Sequence, residues 1–313
     1  MTYARKRLRA LVMFFLGAAL LMGGSRSSEA VLFYSTGDPS FNTNAPTGSL
    51  TNSGWQWQGV WQSAYLGTAI ASNFFITARH LNGKVGDVFT FGGVSYTTTA
   101  LYTTGGVDLA VWQVNGSFPT WAPLYGRSDE LGRSFVVIGR GTLRGAEVVV
   151  DGELKGWRWG SGSGLWRWGE NEVAEVLSYG GYGSLLYATF DAGAGVNECD
   201  LSVGDSGGGL FIKDGETWKL AGINFAVDGN FNTTNSGNGF SAAIFDAGGL
   251  WYGSAGNWTY ITNQSYDIPT GFYATRISSN RSWIESIIIP EPATLWLAAA
   301  AWPLLLARRG RRR

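Results

Sequence analysis

Short apolar runs separated by glycine dominate the middle of the chain. Valine, phenylalanine, tyrosine and threonine recur in DVFTF (87–91), VSYTT (94–98), VDLAVWQV (107–114) and SFVVIGR (134–140). Helical spacing of apolar residues is scarce there, and β-branched or aromatic runs bounded by glycine are typical of strands. The pattern predicts an all-β body built as a sandwich or a barrel.

One late segment departs from this pattern. In SSNRSWIESIII, Ser279 or Asn280 is placed to cap a helix that carries Trp283, Ile284 and Ile287 on one face. The body is therefore predicted to end in a single helix.

The N-terminal residues have the organisation of a secretory signal peptide. Basic residues precede an apolar run at 10–22, and a small-x-small triplet ends at Ala30. This pattern predicts removal by signal peptidase, with a mature protein that begins near Val31.

The C-terminal residues combine an apolar run with a basic end. Pro290-Glu291-Pro292 precedes an apolar run at 293–307 and five arginines. The run is shorter than the about 20 residues of a permanent span, and the arginines favour the cytoplasmic side. This tail resembles a PEP-CTERM sorting signal, which implies cleavage by an exosortase-type enzyme of a Gram-negative-type bacterium. An ordinary C-terminal membrane anchor is the alternative.

Both interpretations of the tail predict an exported protein of the cell envelope or surface. The tail would hold it in the membrane, transiently if the sorting enzyme removes it. The oligomeric state is not predicted by any feature of the sequence.

Charge separates the body from its ends. The chain has 23 basic and 23 acidic residues, and the two ends hold ten of the basic and two of the acidic ones. The remaining 13 basic and 21 acidic residues give residues 31–290 a formal net charge of −8. Phosphate binding needs clustered Lys and Arg, so no nucleic acid partner is expected. Cys199 is the single cysteine, which excludes an intramolecular disulfide.

Three residues carry the candidate chemistry. His80, the single histidine, follows an apolar run in ASNFFITARHLNG, Asp108 lies in GGVDLAVWQV and Ser206 in VGDSGGGLF. Taken singly, each has a structural explanation: a surface imidazole, a strand-edge carboxylate and a polar position in a glycine-rich turn. Together they are residue types that can act as a base, an orienting carboxylate and a nucleophile.

The order of the three residues in the chain argues against two classes of hydrolase. The segment around Ser206 fits the G-x-S-x-G elbow of α/β-hydrolases, in which the histidine follows the serine, but no histidine follows Ser206. A subtilisin-type order would need Asp38, which lies in a polar segment without the alternating helices of an α/β fold.

Five segments in order resemble the trypsin-like serine proteases. FITARH is similar to their Thr-Ala-Ala-His segment, VDLAVWQV to their Asp-Ile-Ala strand and VGDSGGGLF to their Gly-Asp-Ser-Gly-Gly-Pro loop. LAGINFAVDG and TGFYATRISSNRSWIESII are similar to the two later strands and the terminal Trp-Ile helix. The resemblance covers residues 55–289 and implies two six-stranded antiparallel β-barrels with a C-terminal helix and a site between the barrels.

The predicted organisation follows from the ends and this resemblance. It comprises a signal peptide (1–30), an N-terminal segment (31–54), a first barrel (55–130), a second barrel with the C-terminal helix (131–289) and a sorting signal (290–313).

The resemblance implies a role for each site residue. Ser206 is the nucleophile, His80 the general base and Asp108 the group that orients the imidazole, while the backbone N–H groups of Gly204 and Ser206 form the oxyanion hole. The implied function is an exported serine endopeptidase acting on protein or peptide substrates, with no cofactor and no metal. The alternative is a surface binding or adhesion protein that uses a protease fold with a decayed site.

Three further positions correspond to the specificity pocket of the family. Asp200 falls where the trypsin branch has the residue that selects Arg or Lys, Val227 where a glycine keeps the pocket open, and Gly271 on the opposite wall. Asp200 therefore predicts a basic preference, Val227 opposes it by narrowing the pocket, and a structural loop aspartate is the alternative. The family's Ile or Val followed by Gly-Gly is missing, which leaves open whether Asp205 pairs with a freed amine.

Trp-Arg-Trp-Gly occurs twice, at 157–160 and 166–169. The repeat predicts a hairpin with four tryptophans on one face, as a ligand platform or as cover for a barrel end.

Overall fold

A computed structural model describes residues 31–162 and 164–289, which are mostly β-structure. The predicted signal peptide and sorting signal lie outside these residues. No helix in the described ranges has the length and apolar character needed to cross a membrane. The strands, in chain order, are β1 (Leu32–Phe33), β2 (Gln58–Trp61), β3 (Tyr65–Ala71), β4 (Phe74–Thr77), β5 (Val88–Phe91), β6 (Val94–Thr103), β7 (Ala110–Val114), β8 (Ser134–Gly139), β9 (Arg144–Val150), β10 (Glu153–Trp159), β11 (Arg167–Glu172), β12 (Glu175–Tyr179), β13 (Gly183–Thr189), β14 (Cys199–Asp200), β15 (Gly209–Asp214), β16 (Thr217–Val227), β17 (Phe231–Asn232), β18 (Ala242–Ile244), β19 (Trp251–Ser254), β20 (Asn257–Tyr260) and β21 (Gly271–Arg276). Short 3-10 turns lie at Gly48–Leu50, Trp55–Trp57, Arg79–Leu81 and Ser278–Asn280, and the α-helix α1 spans Arg281–Ile288.

The first unit is a closed six-stranded barrel in the order β2, β3, β4, β7, β6, β5. Its neighbouring strands are antiparallel, and the pair that places Trp61 opposite Phe89 closes it. This barrel confirms one of the two barrels predicted from the sequence.

Large aromatic side chains fill the barrel. Trp61, Phe75, Phe89 and Trp112 are at most 1% exposed. The Phe75 and Phe89 rings stack with centroids 3.9 Å apart, and those of Trp61 and Trp112 lie 5.0 Å apart. Aromatic side chains remove large apolar areas from water, so this core fixes the turn that follows β4 and the loop that precedes β7.

The second unit is built on a seven-stranded sheet in the order β11, β8, β15, β16, β21, β13, β12. The central strand, β16, is the longest, and its pairing with β21 shifts register between Asn224 and Ala226. Such a bulge bends a strand and re-aims its side chains.

The predicted second closed barrel is not formed by the pairings of the described strands. β10 pairs on both sides outside the seven-stranded sheet, with β9 and with β18, and β17, β19 and β20 form another small sheet. The backbone groups of β10 are therefore satisfied away from the main sheet, which leaves that sheet open at β11 and β12.

Residues 31–44 lie against this second unit. β1 pairs with β14, the Arg167 guanidinium donates to the carbonyl oxygen of Val31 at 3.0 Å, and the Trp168 indole donates to that of Asn44 at 2.8 Å. Val31 itself is fully buried in the core of the unit.

The two Trp-Arg-Trp-Gly motifs do not form the predicted hairpin. The first motif begins in β10 and the second overlaps β11, and these strands belong to different sheets. Trp157 is buried beside Phe190 and Phe245, with the guanidinium of Arg144 3.6 Å from the centre of its ring. This indole is therefore part of the core rather than of an exposed platform.

α1 confirms the predicted C-terminal helix. Ile284 is fully buried, and Trp283 and Ile287 pack against the same core. Asn280 occupies the N-cap position without capping, because its side-chain amide donates to the carbonyl oxygen of Arg276 at 2.7 Å.

Candidate active site

His80 and Asp108 are joined by two hydrogen bonds. His80 lies in the turn after β4 and Asp108 just before β7, and these two strands pair in the barrel. Asp108 Oδ1 accepts from the backbone N–H of His80 at 2.8 Å, and Oδ2 lies 2.7 Å from His80 Nδ1. An ionised carboxylate only accepts hydrogen bonds, so the neutral ring carries its proton on Nδ1 and has its free lone pair on Nε2.

An aromatic wall stands beside the histidine. The Phe225 ring centroid lies 6.0 Å from that of His80, and Tyr182 lies 5.0 Å from Phe225. Phe225 is 6% exposed. The imidazole therefore has an apolar surface on one side and a buried carboxylate on another.

Ser206 lies in a turn between β14 and β15 that backbone hydrogen bonds hold in place. Gly207 N–H donates to the carbonyl oxygen of Asn224 at 3.0 Å, and Asn224 N–H donates to that of Gly208 at 2.9 Å. Gly208 N–H in turn donates to the carbonyl oxygen of Asp205 at 3.2 Å. Ser206 itself is half-buried.

This turn packs directly against the barrel. A Cβ on Gly207 would lie 2.3 Å from Thr77 Oγ1 and 2.9 Å from Leu81 Cδ1. Gly207 follows Ser206 and Leu81 follows His80, so the serine turn and the histidine turn are adjacent.

Among the described residues, the Ser206 hydroxyl makes no hydrogen bond to the His80 ring. Catalytic hydrogen bonds in unliganded enzymes are often long and tighten when substrate binds. The N–H groups of Gly204 and Ser206 likewise have no acceptor within the described ranges. Two neighbouring backbone donors are thus available beside the serine, as an oxyanion hole requires.

The carboxylate of Asp205 connects the serine turn to other parts of the second unit by hydrogen bonds. It accepts hydrogen bonds from the backbone N–H groups of Ser202 at 2.7 Å, Gly141 at 2.6 Å and Val31 at 3.3 Å. Asp205 is 1% exposed. Burial raises the pKa of Asp205 to about 6, and these hydrogen bonds act in the opposite direction.

Asp200, six positions before the serine in the sequence, is a second buried carboxylate. It is 2% exposed, and Leu201 N–H donates to its Oδ1 at 2.8 Å. Burial raises the pKa of Asp200 well above its usual value, and the charges of Asp228 and Asp205 add to the effect. A cationic group would offset this penalty.

The other predicted pocket residues meet around Asp228. Val227 ends β16 and is partly buried, while Gly271 begins β21. Asp228 accepts from Gly271 N–H at 3.0 Å and from the hydroxyls of Tyr187 and Tyr273 at 2.7 Å each. A Cβ on Gly271 would lie 1.8 Å from the carbonyl oxygen of Ala188, so this position requires glycine.

Sequence analysis does not single out Asn224, Asp228 or the Val31 amide. Asp228 directly follows the predicted pocket residue Val227, and Asn224 is an amide within an apolar strand. A polar residue within or at the end of an apolar run is the sequence signal that points to such partners. The Val31 amide carries no signal of residue type.

No protein-family model matches the chain, and no curated protein matches it. Within residues 31–162 and 164–289, no group of three or more His, Cys, Asp and Glu side chains is arranged to hold a metal ion. Function is therefore inferred from the site itself.

Gly207→Ala tests the packing of the serine turn. Gly207 has a φ of +82° and no room for a Cβ, so the free energy of unfolding should fall by at least about 2 kcal/mol. Urea denaturation measures this change.

Gly215→Ala is the matched control. Gly215 has a φ of +61° and open space around it, so only the backbone strain of about 1–2 kcal/mol should appear. An equal decrease in the free energy of unfolding of the two variants would show that the serine turn is not closely packed against the barrel.

Proposed function

We propose that this protein is an exported serine endopeptidase that hydrolyses peptide bonds with Ser206, His80 and Asp108. The observation that supports the proposal most directly is the His80–Asp108 pair, because its geometry leaves Nε2 of the imidazole as a base. A serine hydroxyl is a poor nucleophile without such a base.

In the first step Ser206 Oγ attacks the carbonyl carbon of the peptide bond and His80 Nε2 takes the hydroxyl proton. The N–H groups of Gly204 and Ser206 stabilise the resulting oxyanion. Asp108 holds Nδ1–H and stabilises the imidazolium that forms.

The C–N bond then breaks as His80 returns the proton to the leaving amine, which leaves an acyl group on Ser206. Water attacks this ester while His80 accepts its proton, and release of the acid restores the serine hydroxyl. No cofactor and no metal takes part in the proposed reaction.

The finer assignments belong to the same proposal. A trypsin-like arrangement of the barrel and the second unit, a mature start near Val31 after signal peptidase, and processing of the C-terminal tail by an exosortase-type enzyme all fit an exported protease. The site would lie between the two units, and the substrate would be a protein or peptide outside the cytoplasm.

Specificity follows from the buried carboxylates. Asp200 lacks a cationic partner among the described residues, and the Asp228 carboxylate lies near enough to raise its pKa. We expect a preference for Arg or Lys before the cut bond, because the substrate's charge would compensate the desolvation of Asp200.

Ser206→Ala should abolish peptide hydrolysis and labelling by a fluorophosphonate while leaving the fold intact, because only the nucleophile is lost. Ser117→Ala, at an exposed serine, is the control and should label like wild type. Wild-type labelling in Ser206→Ala would refute the assignment, and a wild-type protein that never labels would favour the decayed binding protein.

The Val31–Asp205 contact predicts that the start of the chain affects stability. In a variant that retains residues 25–30, Asp205 meets an uncharged amide and keeps its raised pKa of about 6. The folded state then holds a proton that the unfolded state releases, so stability should fall by about 3 kcal/mol as pH rises from 4 to above 6. In a protein that begins at Val31, the ammonium group should reduce this loss.

Urea denaturation of both proteins between pH 4 and 8 measures the difference, after mass spectrometry of the native protein has identified its first residue. Asp205→Asn in both backgrounds is the control and should remove the difference. Parallel pH profiles in the two parent proteins would show that the N-terminal charge does not reach Asp205.

Asp200→Ser tests the specificity. If wild type prefers Arg or Lys, the substitution should reduce kcat/KM for these substrates by roughly a hundredfold, about 3 kcal/mol, because the substrate charge loses its buried partner. A peptide-library cleavage profile of both proteins makes the measurement. A small-residue preference that Asp200→Ser leaves unchanged would instead indicate that Val227 closes the pocket.

A further inference from the structure

We infer that Asn224 is a positioning residue that fixes the direction of the Ser206 N–H, one of the two oxyanion-hole donors. The inference rests on the proposed function, and it concerns a residue that touches neither the nucleophile's hydroxyl nor the base. Asn224 lies in β16 and is 1% exposed.

The side-chain amide of Asn224 connects two parts of the second unit. Its Nδ2 donates to the carbonyl oxygen of Ile138 at 2.9 Å, at the end of β8, and to that of Asp205 at 3.0 Å. Both acceptors are carbonyl oxygens, so only the nitrogen end of the amide can face them.

This orientation of the Asn224 amide lowers the stability of the folded protein. Asn224 Oδ1 is buried and has no hydrogen-bond donor among the described residues. A buried polar atom without a partner is unfavourable, and an apolar residue in the same strand would avoid it. The two bonds made by Nδ2 are therefore what the asparagine contributes.

The bond to Asp205 controls the neighbouring N–H through the geometry of the peptide unit. The carbonyl of Asp205 and the N–H of Ser206 belong to one planar trans peptide, in which they point in opposite directions. Because Asn224 holds the carbonyl on the core side, the N–H of Ser206 points away from the core. That N–H has no acceptor among the described residues, which leaves it free for an oxyanion.

The backbone of Asn224 holds the other side of the same turn. Its carbonyl oxygen accepts from Gly207 N–H at 3.0 Å and its N–H donates to Gly208 at 2.9 Å. One residue thus contacts the turn on both sides of Ser206. A side-chain substitution removes the shorter of the two bonds to the Asp205 carbonyl and leaves the bond from Gly208 N–H at 3.2 Å. The turn should therefore remain while its first peptide gains freedom.

Asn224→Leu is the principal test, because it removes both side-chain bonds and keeps the number and branching of the side-chain heavy atoms. We expect kcat to fall by about 10-fold to 100-fold, below or at the lower end of the loss for a deleted oxyanion donor, with KM within about threefold of wild type. Affinity for a peptide aldehyde, whose adduct places an oxyanion in the hole, should fall by the same factor as kcat/KM.

Two further variants separate positioning from general destabilisation. Asn224→Ala removes the same bonds in a smaller side chain and serves if the leucine variant does not fold. Ile223→Val, at the fully buried neighbouring position, should lower the melting temperature without changing kcat or aldehyde affinity. Loss of kcat in Ile223→Val equal to that in Asn224→Leu would overturn the inference.

Amide hydrogen exchange supplies a readout that does not depend on activity. Peptides covering residues 203–209 should exchange faster in Asn224→Leu than in wild type, and at the wild-type rate in Ile223→Val. Unchanged exchange or unchanged kcat in Asn224→Leu refutes the positioning role. If wild type neither labels nor turns over, the proposed function fails, and faster exchange would still support the hold of Asn224 on the turn.

Discussion

A buried carboxylate needs hydrogen-bond donors from the protein in place of water. In the second unit, Asp205 is such a carboxylate. Its donors come from three distant parts of the chain: Val31 before β1, Gly141 after β8, and Ser202 within the serine loop. Bringing these N–H groups to one point fixes the start of the described chain, the segment after β8 and the loop that carries Ser206. The burial of Asp205 thus ties the loop that carries Ser206 to two distant parts of the second unit.

The two units share one hydrophobic cluster, and they also meet at small residues and at one amide bridge. Gly209 N–H donates to Gln58 Oε1 at 3.3 Å, and the Gln58 amide donates to Thr68 Oγ1 at 2.8 Å, inside the barrel. Next to this bridge, Gly207 lies against Thr77 without room for a Cβ. The barrel carries His80 and Asp108, while the second unit carries Ser206, so the proposed reaction requires the close approach of the two units at glycine.

The parts of the fold that could be predicted from sequence are those set by local pattern. The runs at 87–91 and 94–98 are short, β-branched or aromatic and bounded by glycine, and they form β5 and β6 of the closed barrel. The helix face of Trp283, Ile284 and Ile287 follows in the same way from spacing. The His80–Asp108 bond has a local origin too, because each residue adjoins one of two paired strands.

The rest depends on pairings between distant segments that residue type does not encode. β10 carries a motif similar to that of β11, yet Trp157 lies opposite Ala243 of β18, and this choice leaves the second sheet open. The Val31 amide reaches Asp205 across 174 positions of sequence, and any residue except proline has the same donor there. Asn224 and Asp228 do stand out as polar residues among apolar ones, but their partners become evident only when the strands are placed.

The buried acids of the second unit differ in how their charge is satisfied, and the difference points to a role for one of them. Asp205 is surrounded by backbone donors, and Asp228 is held by the hydroxyls of Tyr187 and Tyr273. Asp200, equally buried, receives among the described residues only the N–H of Leu201, and its pKa is raised well above the usual value. A carboxylate left in this state is unfavourable unless a proton or a cation joins it. Since backbone and tyrosine donors already satisfy Asp205 and Asp228, Asp200 is the acid of these three that the proposed function pairs with a cationic side chain of a substrate.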